Sequence, residues 1–323
     1  MKLFYIIKLM RPVNLLIIAI SMIALRYLIF MPVLADYGIY LRISHLDFML
    51  LVLGTLLIAG AGNIINDYFD IKPDRLNKHH HVIVGKHVKR REAIVTHVFM
   101  STLGFLLSAY VAIKYGIPWM LLFQVIAITL LWLYSASFKN SFLFGNVIVA
   151  FLTACVPLIV ISYDLPVIFK AEGFSFPYLS ASLHPYKEII FITLCYAAFA
   201  FFLNLIREIQ KDMADIRGDK EIGAKTIPIE LGIPTSRKIV NSLTLFVILA
   251  LIYIQQAFVA DKISSLYLLI FIVIPLILSA AKLRNAKKSS QFLRASLYTK
   301  VAMAGGLGYL ILFYFLITNQ FFL

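Results

Sequence analysis

Acidic side chains gather at two places in this sequence. The first, Asn63 to Asp74, reads N-I-I-N-D-Y-F-D-I-K-P-D and supplies Asp67, Asp70 and Asp74. The second, R-E-I-Q-K-D-M-A-D-I-R-G-D-K-E, supplies Arg207, Glu208, Lys211, Asp212, Asp215, Asp219 and Glu221. Together they hold half of the 16 acids in a chain that is 14% charged and 61% hydrophobic. Each lies where a long apolar run meets a polar segment. Carboxylates beside a membrane boundary are costly unless a cation compensates them. Cys155 and Cys195 both sit inside apolar runs and offer no thiolate site. Oxygen donors alone favour Mg²⁺, which takes one or two protein carboxylates and completes its octahedron with water and phosphate oxygens. Two such clusters suit a diphosphate. Lys72, Arg75, Lys78, Arg207, Lys211 and Lys225 lie close by in sequence to meet its oxygens, with Arg the better bidentate partner.

The elements that carry these residues are helices. On a continuous helix Asn66, Asp70 and Asp74 share a face at i, i+4 and i+8, and Asp67 lies about 100° to one side. Pro73 disfavours helical geometry at Lys72, so the helix is expected to kink or stop there. Glu208, Asp212, Asp215 and Asp219 form one stripe, and Gly218 permits an end near Asp219. The two clusters are expected to face each other across one cavity and hold Mg²⁺ against a diphosphate.

A mean hydropathy of +0.89 and 26 Phe define an all-α membrane protein, one polytopic domain over residues 1–323, without separate soluble domains. Nine apolar stretches match the bilayer, at 13–34, 46–66, 93–113, 117–137, 143–163, 187–207, 238–259, 264–282 and 298–318. With the N-terminus cytoplasmic, all but six of the 30 Lys and Arg fall inside. The six are Arg26, Arg42, Lys114, Lys170, Lys187 and Lys262, outside or near the outer ends. This positive-inside pattern puts both acidic clusters on the cytoplasmic side of a prokaryotic inner or plasma membrane. It also accounts for the net charge of +14 without nucleic acid, for which there is no soluble basic face. The opening M-K-L-F-Y-I-I-K-L-M-R has scattered charge and no small-residue cleavage site, and reads as mature sequence. Segments 75–92 and 220–237, both helix-compatible, are candidate cytoplasmic caps. Segment 164–186, with Pro166, Pro177, Pro185 and Gly173, is expected to be an external loop with little helix. Gly305, Gly306 and Gly308 suggest a close helix contact. Asn14 and Asn146, near the starts of the first and fifth spans, hint at an old duplication of a four-helix unit.

The sequence resembles the UbiA superfamily of intramembrane prenyltransferases. Asn66-Asp67-Tyr68-Phe69-Asp70-Ile71-Lys72-Pro73-Asp74 fits the family's N-D-x-x-D-x-x-x-D, and Asp215-Ile216-Arg217-Gly218-Asp219 its D-x-x-x-D, with Asp212 as a frequent extra acid. Arg11-Pro12, Tyr134-Ser135 with Lys139, Gly145-Asn146 and Gly223-Ala224-Lys225-Thr226-Ile227-Pro228 agree as well, so the likeness covers nearly the whole chain. It implies a bundle of nine transmembrane helices around a central cavity, opening laterally to lipid. It also implies two Mg²⁺ ions bridging the diphosphate, held by Asn66, Asp70, Asp74, Asp215 and Asp219. Asp67 and Asp212 join the catalytic set. Arg11, Asn14, Tyr134, Lys139 and Asn146 join the cations above as contacts to diphosphate or acceptor. The implied reaction is ionisation of an allylic prenyl diphosphate, with pyrophosphate departing and a lipophilic acceptor capturing the carbocation. Faces of aromatics such as Tyr68, Tyr134 and Trp132 would stabilise that cation. The second motif most resembles members making digeranylgeranylglyceryl phosphate, whose acceptor is geranylgeranylglyceryl phosphate. The chain departs from the family after Asn77-Lys78, where His79, His80 and His81 replace a proline and an arginine.

Other readings compete. Quinone, tocopherol or chlorophyll-type aromatic acceptors are the nearest rival. A cation-coupled transporter would place acids near the bilayer midplane in interrupted helices, whereas here they cluster at span ends. His79 to His81 project in different directions and make a poor zinc site. Lys89, Arg90 and Arg91 read as topology and headgroup contacts. Glu208 is a candidate general base for a hydroxyl acceptor, or else the partner of Lys211 or Lys225.

Overall fold

The computed structural model describes residues 2–71, 82–173 and 184–318. A short helix α1 (Lys2–Leu9) leads into α2 (Pro12–Ala35), α3 (His45–Phe69), α4 (Arg90–Lys114), α5 (Pro118–Ala136) and α6 (Phe144–Ala171). Then come α7 (His184–Glu221), the single turn α8 (Ile227–Glu230), α9 (Gly232–Val259), α10 (Lys262–Arg284) and α11 (Ser289–Thr318). Among the described residues nine of these are long and apolar enough to cross a membrane. A helix satisfies its own backbone, which lipid cannot do. Ends carry local signals: the Ser44 hydroxyl accepts from the Asp47 N–H at 3.1 Å, and the Lys89 N–H donates to Glu92 Oε2 at 3.0 Å.

The chain divides into two compact units. One comprises Met1–Ser137 and Cys155–Cys195, the other Phe138–Ala154 and Tyr196–Leu323. In the first, α3 and α4 meet at two glycines. A Cβ on Gly54 would stand 2.8 Å from the Gly104 carbonyl oxygen, and one on Gly104 would stand 2.7 Å from that of Gly54, so only glycine permits this approach. In the second unit Ile206, Ile209 and Met213 of α7 share a core with Val240, Leu276, Ala295 and Ala302 from α9, α10 and α11. The glycine contact expected in the last span forms at two of its three positions. The Tyr267 hydroxyl donates to the Gly305 carbonyl at 3.1 Å and fills the space beside Gly308, whereas Gly306 faces open space.

Three expectations are corrected. Segment 164–186 is not a loop throughout: α6 continues to Ala171 across Pro157 and Pro166, and α7 begins at His184. The reason is Asp164, which is buried and ion-paired with Arg26, so the helix must carry it inward. The guanidinium donates from Nε at 2.8 Å and from Nη2 at 3.0 Å to the Asp164 carboxylate. It also donates to the Ile43 carbonyl at 2.7 Å and lies 4.3 Å from the Phe48 ring centroid. Arg26 is therefore not at an outer surface but fully buried. Lastly, residues 82–89 form a tight turn with a Val84–Val88 bridge instead of helix, because Ile83, Val84 and Val88 pack with Leu9, Ala61 and Ile64. The rest of the first expected cap up to 81, from 75, lies outside the described residues, and 90–92 open α4.

Candidate active site

In the first unit the acidic end is built by α3 and the start of α2. Asp70 caps α3, its N–H donating to the Asn66 carbonyl at 3.0 Å; the kink or stop expected at Lys72–Pro73 lies outside the described residues. The Asn66 amide donates to Asp70 Oδ2 at 2.9 Å, the i, i+4 pairing expected on one face. Asp67, turned to the side, accepts from Arg11 Nη2 at 2.6 Å. Arg11 Nη1 reaches Asn63 Oδ1 at 3.4 Å, and the Asn63 amide holds the Met10 carbonyl at 2.9 Å. Arg11 has φ 56°, a left-handed conformation costly for a side-chain-bearing residue and held here by these bonds. Burial opposes its charge, but Asp67 above all, then Asp70 and Tyr134, raise its pKa above the usual guanidinium value. Arg11 is a permanent cation. Asn14 is half-buried one turn into α2, and Tyr134 is half-buried on α5.

The second unit holds its acids on an uninterrupted helix. The Asn146 amide of α6 donates to Asp212 Oδ2 at 2.7 Å. Lys211 Nζ lies 2.8 Å from both Glu208 oxygens, and Arg207 Nη1 is 3.3 Å from Oε1. Of the two partners weighed for Glu208, geometry selects Lys211. Asp215 and Asp219 are half-buried farther along the same stripe. Past Gly223, at φ 70°, the Lys225 N–H donates to the Asn140 carbonyl at 2.8 Å. That bond joins the Gly223–Pro228 stretch to the turn carrying half-buried Lys139.

Asp74, Lys72, Arg75, Lys78 and His79 to His81 lie outside the described residues. Among the described residues no three His, Cys, Asp or Glu side chains gather as a metal cage. Mg²⁺ does not need one, since it keeps water and phosphate oxygens as ligands. One atom fits it directly. Asn66 Oδ1 is buried without a hydrogen-bond partner; such an orphaned acceptor costs about 1–3 kcal/mol, and a hard cation is a partner it lacks. The donor set of amide and carboxylate oxygens agrees. Sequence reasoning passed over Asn63, although its position four residues before Asp67 and three before Asn66 places it on the same helix shoulder. It also left the ring of Tyr68 to a substrate cation, whereas the Arg90 guanidinium lies 4.8 Å from its centroid.

Among the described residues, nine membrane-length helices define a polytopic membrane protein. The chain matches the UbiA prenyltransferase family over residues 29–303 and belongs to it. The digeranylgeranylglyceryl phosphate synthase of Pyrococcus abyssi is 33% identical over 187 residues, 58% of this chain and 56% of that protein. The chain thus spans little more than half the length of that relative. A solved digeranylgeranylglyceryl phosphate synthase structure is 25% identical with a TM-score of 0.62, covering 96% of this chain and 98% of that one. A UbiA homologue from Archaeoglobus fulgidus, bound to DMAPP and Mg²⁺, is 18% identical with a TM-score of 0.56 over 93% of this chain and 98% of that one, and shares the fold.

Proposed function

We propose that this chain is an integral membrane prenyltransferase that moves a prenyl group from an allylic diphosphate to the hydroxyl of geranylgeranylglyceryl phosphate, releasing pyrophosphate. The observation that carries the reading is the end of α3. There a buried, unpartnered Asn66 oxygen stands beside a carboxylate held by the same amide, with a permanent cation paired next to it. The names of the Pyrococcus abyssi relative and of the solved synthase support the acceptor, and the DMAPP and Mg²⁺ of the Archaeoglobus fulgidus homologue support the donor and metal.

In this reading Asn66, Asp70, Asp74, Asp215 and Asp219 would hold Mg²⁺ against the diphosphate. When bound there, Mg²⁺ would supply positive charge to offset that of the leaving pyrophosphate. Arg11 pairs with Asp67 and fixes the helix end, while Asn146 orients Asp212. Lys72, Arg75, Lys78 and Lys225 meet phosphate oxygens. Glu208, engaged by Lys211 at both oxygens, acts as a local counter-ion. The active site faces the cytoplasm, as the distribution of basic residues in the sequence favours.

The test is an assay on purified protein in lipid with geranylgeranyl diphosphate, geranylgeranylglyceryl phosphate and Mg²⁺. Pyrophosphate and the diether in equal amounts are expected. Product with a quinone-type aromatic acceptor instead would reassign the acceptor, and absence of product with either would sink the proposal.

A further inference from the structure

Helix α7 carries a polar contact on the side away from its acids. Gln210 lies between Glu208 and Asp212 in sequence, and at about 100° per residue its side chain leaves the helix roughly opposite Asp212. It points into the core with Ile206, Ile209 and Met213, where it is 1% exposed. There the Gln210 amide donates to Ser279 Oγ of α10 at 2.9 Å. Thr299 Oγ1 of α11 donates to Gln210 Oε1 at 3.1 Å, and Ser279 and Thr299 lie 3.0 Å apart. Ser279 passes its own proton to the Ala295 carbonyl at 2.9 Å. Ser279 and Thr299 are as buried as Gln210, and every polar atom of the three is engaged.

Apolar packing alone leaves a helix in a membrane free to rotate and slide at small cost, because lipid tails are as apolar as leucine. A polar cluster inside that packing, with Gln210 bonded to Ser279 and to Thr299, has a direction. We propose that Gln210, Ser279 and Thr299 are positioning residues that fix the rotation of α7 about its axis, and with it the orientation of the stripe Glu208, Asp212, Asp215 and Asp219. Asn146 holds Asp212 from the acid side, and the Asn204 amide holds Thr153 Oγ1 at 2.9 Å one turn before Glu208. The cluster is the counterpart on the opposite face. The inference rests on the magnesium reading above and extends it to residues that touch neither metal nor substrate.

The experiment uses the full-length protein in detergent. Mn²⁺ binding in the presence of inorganic pyrophosphate is followed by EPR, alongside the melting temperature and the kcat and KM of prenyl transfer. The combined variant Gln210→Met, Ser279→Ala, Thr299→Val removes all three polar partners together and leaves no orphaned group. Its expected signature is Mn²⁺ affinity weakened by about 10-fold, the scale of lost outer-shell support. kcat falls with it, KM for the acceptor stays unchanged, and the melting temperature shifts little. The milder Thr299→Val, which keeps the Gln210–Ser279 bond, should give a smaller loss in the same direction and serves if the combined variant fails to fold. Wild-type Mn²⁺ affinity in a folded variant overturns the inference while leaving the magnesium reading intact. Failure of the unaltered protein to bind Mn²⁺ with pyrophosphate overturns both.

Discussion

The acidic ends of the two units solve one problem in different ways. In the first unit α3 stops, and Asp70 is presented from its cap with Asp67 drawn aside by Arg11. In the second α7 runs without a break for 38 residues, and the acids hold their places by helical spacing, with Asn146 pinning one of them. The local sequence decides. Pro73 lies three residues beyond Asp70, whereas the first breaker after Asp219 is Gly223. A helix end needs an outside clamp, and Arg11 in its left-handed conformation supplies it; a continuous helix needs its rotation fixed instead.

Substitutions can break that comparison. The largest effect belongs to the acids: Asp70→Ala and Asp219→Ala should each lower turnover by roughly 100- to 1,000-fold, the scale of losing a preorganised electrostatic group. Pyrophosphate release from folded protein measures this, and near-normal rates in either would remove that end from the chemistry. Next comes the clamp. Arg11→Ala should cost about 10- to 100-fold in kcat/KM, and Arg11→Lys should recover little, because an ammonium cannot reach Asp67 and Asn63 with the planar fork. Full recovery with lysine would reduce Arg11 to a point charge. Asn146→Leu should cost about 10-fold, less than Arg11→Ala, since helical spacing still holds the stripe; a larger loss would mean that Asn146 itself touches substrate. Glu208→Gln, which keeps the shape of this largely buried side chain beside Lys211, should change kcat/KM by no more than about fivefold, and a collapse in rate with an altered pH profile would restore Glu208 as a general base.

Much of this was legible in the sequence. Nine apolar runs of membrane length became, among the described residues, nine helices long enough to cross a membrane, because in lipid length and hydropathy leave the backbone little choice. The i, i+4 spacing put Asn66 and Asp70 on one face, where the structure bonds them, and set Asp67 to the side, where the structure pairs it with Arg11. Partners distant in sequence were not legible. Nothing in the spacing says that Asn146 meets Asp212, or that Arg26 meets Asp164 from 138 residues away. That second pair hid for a physical reason: Pro166 and two later prolines argued for a loop, whereas α6 runs through Pro166 to Ala171 and carries the buried Asp164 to its guanidinium partner. Asp164→Asn should therefore destabilise the protein by about 3–5 kcal/mol, the penalty for a buried charge left alone. Replacing both Arg26 and Asp164 by leucine should recover most of it, with turnover per folded molecule unchanged. Lost turnover in that stable double variant would give the pair a part in catalysis.

The central claim of the proposal is that both acidic motifs are needed to bind Mg²⁺ with pyrophosphate. Calorimetric titration of pyrophosphate with Mg²⁺ into the unaltered protein, Asp70→Ala, Asp219→Ala and the double variant tests it most directly. That joint need predicts that either single substitution removes the Mg²⁺-dependent binding and that the double variant loses nothing further. Two independent sites, each single variant keeping half the stoichiometry at unchanged affinity, would contradict it.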